Sequence, residues 1–248
     1  MSTERFIARV RRLDTRLGAG RWEWAERRRD LIAAHWQERL ADKPRMFNGR
    51  ILIVGDHAHE GETYRATYLE TDFANLLAWR DLGFPDDTVV NGFAMAALRG
   101  SDGAFVMGVM GVHTANAGKV YFPAGTPDPA DVRADGTVDL GGSVARELAE
   151  ETGLAAEEFA ADDEWIVVRH GPRIAFLLPM RASEPADAVA ARIERHLSAD
   201  PDPELAGVRV VRGPGDIDAG AMPDFLQDFL RWHFAGGLTD SRSAVSSR

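Results

Sequence analysis

"VDLGGSVARELAEETGL", Val138 to Leu154, is the stretch on which the reading of this chain turns. Asp139 stands where an N-cap is wanted, and the small residues Gly141, Gly142 and Ser143 follow it in the first turn. Gly153 suits the left-handed position that closes a helix. The interval therefore reads as one helix. Within it Glu147 lies three residues before Glu150 and four before Glu151, so the three carboxylates project within roughly 100° of one another. Arg146 is placed four residues before Glu150, where it can orient that carboxylate. Three neighbouring anions repel, and a purely structural helix gains little from them. A bound cation reverses that balance.

The rest of the composition narrows the setting. The 248 residues are 45% apolar and 27% charged, enough for one large domain or a domain with an appendage. A net charge of -10 argues against a dedicated nucleic-acid partner, because a phosphate backbone needs a basic footprint. A small phosphorylated substrate stays open, since a local metal can reverse the sign of a site. The chain has no cysteine, which removes disulfides, thiolate catalysis and zinc–thiolate sites. No apolar run approaches the roughly 20 residues that span a bilayer. The N-terminus, "MSTERFIARVRRLDTRL", lacks the apolar core of a signal peptide. A soluble cytoplasmic protein with no membrane partner is expected.

Outward from the helix, the first 45 residues read as helical and charged, ending at Pro44. "GRILIVGD" and "TYRATYLE" read as paired strands across a polar loop at "HAHEGE", with a short helix around "DFANLLAWRDLGF". From Asp87 the runs "TVVNGFAMAALRG", "AFVMGVMG" and "GKVYFPAG" read as strands between glycine turns. After the central helix come strands at "EWIVVRH", "RIAFLLPM" and "VRVVR", and helices at "EPADAVAARIERHLS" and "MPDFLQDFLRWHF". The expected fold is α/β: a sandwich around a mixed sheet, with an N-terminal helical and β extension over residues 1–86, a core domain over 87–236 and a disordered tail over 237–248. The N-terminal helices and the last helix offer apolar faces that suit a homodimer.

"RELAEETGL" resembles the core of the Nudix box, G-x5-E-x7-R-E-U-x-E-E-x-G-U, where U is a bulky aliphatic residue. Arg146, Glu147, Leu148, Glu150, Glu151, Gly153 and Leu154 fall on its defined positions in register. The preceding "VYFPAG" resembles the strand and turn that lead into the box, with Gly125 as its glycine. Two departures stand out. Val138 occupies the place of the first box glutamate, and "PDPADVR" with its neighbours reads as an insertion of about seven residues. Asp128, Asp131 or Asp135 could replace that carboxylate, and nothing in the sequence selects one.

The resemblance implies a Nudix-type α/β/α sandwich and hydrolysis of a nucleoside diphosphate linked to another moiety by metal-activated water. It implies Mg²⁺, with Mn²⁺ as substitute, held by Glu147, Glu150 and Glu151, with Arg146 and Glu150 among the catalytic groups. Hard cations prefer such oxygen ligands. For a general base outside the box the candidates are Glu204 in "DPDPELAG" and, behind it, His170. Gly125, Arg169 and Arg173 are candidates to meet substrate. Phe47, Tyr64, Tyr68 and Phe93 could stack on a base, although each also fits a core. "GDHAHEGE" superficially resembles a metal site, and loop composition accounts for it. The long N-terminal region and stretched box loop are similar to the UDP-sugar-cleaving branch, which makes UDP-glucose or ADP-ribose the leading small-molecule substrates. The alternative is a catalytically silent domain of the same fold that senses a nucleotide, for which Val138 speaks.

Overall fold

A computed structural model describes residues 3–237, so the expected tail, beyond Gly237, lies outside the described residues. The N-terminal part holds strands β1 (Arg5–Val10) and β2 (Arg12–Leu17), helices α1 (Glu23–Arg27) and α2 (Arg29–Asp42), strands β3 (Arg50–Glu60) and β4 (Thr63–Asp72), and helix α3 (Phe73–Asp81). Strands β5 (Asn91–Arg99), β6 (Phe105–Met110), β7 (Val120–Tyr121) and β8 (Ala124–Gly125) lead to α4 (Leu140–Thr152). There follow β9 (Ala160–Ala161), β10 (Trp165–His170), β11 (Arg173–Arg181), α5 (Ala186–Ala199), β12 (Leu205–Val211) and α6 (Asp224–Trp232).

Among the described residues, nine strands form the larger sheet along the path β1-β10-β11-β5-β6-β12, with β7, β8 and β9 paired beside it. It is mixed: β11 and β5 run parallel, and the other neighbours on the path run antiparallel. Side chains alternate across it with a period of two. Ala94, Ala96, Leu98, Ile174 and Phe176 turn toward α4, α5 and the smaller sheet. Met95, Ala97, Ala175 and Leu177 turn toward α6. Helices thus cover both faces, and the architecture is an α/β/α sandwich. The smaller sheet, ordered β2-β4-β3, carries α1 to α3 on its outer side over a core built around Trp22, Trp24 and Trp79.

The N-terminus departs from the helical expectation. Residues 5–17 are strands because partners elsewhere use their backbone: β1 lies antiparallel on β10 and β2 parallel to β4. Arg and Leu content gives no warning of this, since tertiary pairing overrides propensity. With β1 as its edge, the larger sheet draws on the segment read as an extension. His57 to Glu60 likewise continue β3 instead of forming the expected loop, and only the turn at Gly61 remains.

One feature of the sheet prepares the site. Strands β5 and β6 pair only at Arg99 and Phe105 and then splay apart. The two-residue strands fill the wedge, β7 against β6 and β8 against β5, which carries Gly125 out toward α4.

Candidate active site

Helix α4 begins as its sequence requires, the side chain of Asp139 accepting a hydrogen bond from the Gly142 N–H at 3.0 Å. It ends at Gly153 with φ 69°, where a side chain would be strained. Leu140, Val144, Leu148 and Leu154 bury one face against the sheet. That rotation turns Arg146, Glu147 and Glu150 outward and leaves Glu151 at the boundary, 5% exposed.

Gly125 is the closest backbone to this face. A Cβ there would lie 2.2 Å from Glu147 Oε1, so only glycine lets the glutamate rest against the strand. Arg146 then ties the cluster together. Its Nη1 donates to Glu147 at 2.6 Å and to Glu150 at 3.4 Å, and its Nη2 lies 3.2 Å from each oxygen of Asp131. Asp131 ends the short 3₁₀ turn Pro129–Asp131 and is 8% exposed. Of the three aspartates in the inserted loop, it is the one that reaches the cluster. Val138, by contrast, is 1% exposed in the core, opposite Val132. Asp131 thus brings a carboxylate to Arg146 from the loop, while Val138 fills space in the core.

Glu151 has the sharpest electrostatic problem. The Ala124 N–H donates to its carboxylate, while its Oε2 is buried with no partner among the described residues. Desolvation pushes its carboxyl up to about 9, with the charges of Glu204 and Glu147 adding to the rise and the Ala124 N–H opposing it. Burial also raises Glu147, against the pull of Arg146. Glu204 is raised first by burial and further by Glu150, with His113 opposing. A partnerless buried carboxylate oxygen beside further carboxylates fits a hard divalent cation in donor chemistry. As the side chains stand, no three such groups among the described residues already enclose an ion. Glu147 is turned onto Arg146, and the Glu150 side chain is 62% exposed. Glu151 is held in place by burial, and Glu147 and Glu150 would have to swing toward it to share a cation.

Beside the helix lies a cleft of about 330 Å³ that brings Glu147, Glu204, Gly125 and Arg173 together. An adjoining lobe of about 390 Å³ shares Gly125, Arg173, Arg80 and Tyr121 with it. Several expected residues fall elsewhere. Arg169 is 3% exposed on β10, 3.6 Å from Glu4 and away from the cleft. It alternates onto the inner face, near His57 and Tyr64, and is corrected from a substrate residue to a core one. His170 bonds Asp228 of α6 at 2.8 Å and is not in the cleft. Tyr64 and Tyr68 are fully buried, and Phe47 is 83% exposed outside the cleft. Only Phe93 lines the second lobe, packed on Phe225. His57 and His59 stack on Tyr64 and form no metal group.

Sequence reasoning does not find Arg80, Asn91, Asn116 and Tyr121, which also line the cleft. They come from four separate segments, and no spacing marks them as neighbours. Asn116 accepts from Arg80 at 3.2 Å and donates to Tyr121 at 3.2 Å.

No family model matches the chain, and no curated protein matches it. Solved structures similar to it include a MutT protein from Methanosarcina mazei Go1, at 18% identity over 60% of this chain and 96% of that one, with a TM-score of 0.38. A Nudix hydrolase from M. smegmatis, RenU, is similar at 16% identity over 61% of this chain and 88% of that one, TM-score 0.37. A Nudix hydrolase from Nitrosomonas europaea is similar at 15% identity over 60% and 90%, TM-score 0.38. At these TM-scores the likenesses assign neither family nor activity, and the functional reading rests on the side chains alone.

Proposed function

We propose that the protein is a Nudix-type pyrophosphohydrolase that cleaves the pyrophosphate bond of a nucleoside diphosphate linked to another moiety. The observation that carries this reading is the buried, partnerless Glu151 Oε2 on a helix whose other carboxylates, Glu147 and Glu150, flank it. The in-register "RELAEETGL" core supports it. Mg²⁺ or Mn²⁺, when bound, supplies neutralisation of phosphate charge and acidifies water.

The chain's own groups do the rest. Arg146, anchored by Asp131, holds Glu147 and Glu150 together on the outer face of the helix. Gly125 leaves the close approach open. Glu204, on the cleft wall with its carboxyl raised by burial, is the group suited to take a proton from the attacking water. Arg173 lines the same cleft and offers a positive charge to an anionic ligand. Nucleotide sugars lead the substrate list because of the stretched box loop, in a cytoplasmic setting that suits the acidic, cysteine-free composition.

The buried Val138 favours one second reading, a silent domain that binds a nucleotide without cleaving it. Incubation with Mg²⁺ and UDP-glucose, ADP-ribose, NADH, coenzyme A, diadenosine polyphosphates and dNTPs separates the two. Metal-dependent release of a nucleoside monophosphate, lost in Glu151→Gln, is the expected result. Tight binding with no turnover across the panel would put the sensor in its place.

A further inference from the structure

The second lobe of the cleft presents the opposite charge problem from the glutamate helix. Arg173 opens β11 and is partly buried, yet among the described residues no carboxylate or carbonyl pairs with its guanidinium. Its one face rests on the Phe84 ring, 5.0 Å from the centroid. Phe84 is itself held in the left-handed region at φ 59° and packs edge-on against the buried Trp79 at 4.7 Å. A bulky residue adopts that backbone only where its surroundings enforce it. The platform under Arg173 is therefore built.

A second guanidinium stands beside it. Arg80, at the end of α3, donates to Asp81 at 3.0 Å, but Asp81 also faces His35 at 3.2 Å and Arg39 at 3.4 Å. One carboxylate shared between the two guanidiniums of Arg80 and Arg39 leaves the Arg80 end positive. Lys119 completes the lobe's cations, against the single exposed acid Asp224. None of the α4 glutamates lines this lobe. Burial and the like charge of Arg80 both press Arg173 toward losing its proton, with Asp224 a weak counterweight. A guanidinium keeps its proton regardless, so the cost of its burial persists until an anion arrives. The partnerless, buried Asn91 Oδ1 on the same wall adds an acceptor that a ligand hydroxyl or N–H would satisfy.

We infer that Arg80 and Arg173 form a metal-independent anion subsite, and that the ligand carries a phosphate or carboxylate on the moiety that enters this lobe. The inference rests on the proposed function for the identity of the other half of the ligand, and it narrows the substrate class. A nucleoside diphosphate whose second moiety is itself anionic fits better than one carrying a neutral hexose. Residues 73–84, outside the glutamate helix and its loop, then set specificity.

The test is binding in EDTA, using the full chain and three probes: inorganic pyrophosphate, inorganic phosphate and D-glucuronate, titrated calorimetrically. Pyrophosphate is expected to bind, and Arg173→Gln and Arg80→Gln each to weaken it roughly tenfold or more. Arg173→Lys should recover part of the loss, and Arg212→Gln, which lies outside the cleft and pairs with Asp187, should leave it unchanged. Arg173→Gln should also raise the unfolding midpoint, because it removes an uncompensated buried charge. A merely structural arginine would lower it. Stronger binding of phosphates than glucuronate would identify a phosphorylated moiety, and the reverse an acidic sugar. No binding of any probe in EDTA, or equal binding in both arginine variants, overturns the inference. Neither result depends on turnover: failed hydrolysis with intact arginine-dependent binding sinks the proposed function alone.

Discussion

At one end of the cleft a single helix buries acid that nothing among the described residues neutralises. At the other, Arg173 is partly buried with no carboxylate partner among the described residues, and Arg80 from a separate segment adds like charge. The two ends differ in how they can escape. Glu151 can take up a proton, since burial and the neighbouring carboxylates push its carboxyl up to about 9. Arg173 has no such exit, because a guanidinium stays charged. The glutamate end should therefore respond to pH and metal together, and the arginine end to anions at any ordinary pH.

The largest effect expected is on turnover. Glu151→Gln should reduce metal-dependent hydrolysis by about 10³-fold, roughly 4 kcal/mol of transition-state stabilisation, while Arg173→Gln should act mainly on KM. Steady-state kinetics of both variants on one substrate would break the comparison if they lost kcat alike. Next comes Val138→Glu, the change that restores the glutamate of the box pattern. Asp131 already places a carboxylate on Arg146, and the Val138 side chain lies in the core. An unpaired charge there should cost about 3 kcal/mol in chemical denaturation, with no gain in activity.

The pH response is smaller. The folded-state value of Glu151 lies above its ordinary 4.5, so folding takes up a proton and the associated stability is complete below that ordinary value. It drains away as pH rises toward about 9. In EDTA the native protein should lose on the order of 4 kcal/mol relative to Glu151→Gln between about pH 5 and about pH 8. Added Mg²⁺ should reverse the loss in the native protein alone. Parallel melting curves for the two proteins across that range would remove buried carboxylate as the reason for metal binding.

The contrast also explains how much of the molecule is legible in the sequence. The glutamate end is contiguous: cap, spacing and closing glycine all lie between Asp139 and Gly153, so local rules read it directly. The alternating strands are legible for the same reason, β3 through β6 and β10 through β12 falling where short apolar runs predict them. The arginine end is assembled from α3, the turn at Phe84 and the start of β11, which no local pattern joins. Arg169 and Arg173 look equivalent on either side of "HGP", yet the hairpin register buries one beneath the exposed Glu4 and sends the other to the cleft. β1 and β2 escape local rules because their pairing partners lie far along the chain.

Asp131 lies between these cases, since the sequence offers three aspartates and only the folded loop chooses among them. Its contact with Arg146 is close, nearly buried and made through both oxygens, so its loss should be felt at the helix. Asp131→Asn keeps the shape and one acceptor but removes the charge that holds Arg146 in place. Arg146 would then spend more time on Glu147 and Glu150, competing with the cation for their oxygens. The expected result is about tenfold weaker Mg²⁺ activation, near 1.4 kcal/mol, with kcat at saturating metal little changed. Asp128→Asn and Asp135→Asn provide the controls, because neither side chain reaches Arg146. If all three aspartate variants titrate with Mg²⁺ alike, Asp131 only shapes its loop. A shift confined to Asp131 would make it the chain's replacement for the box glutamate.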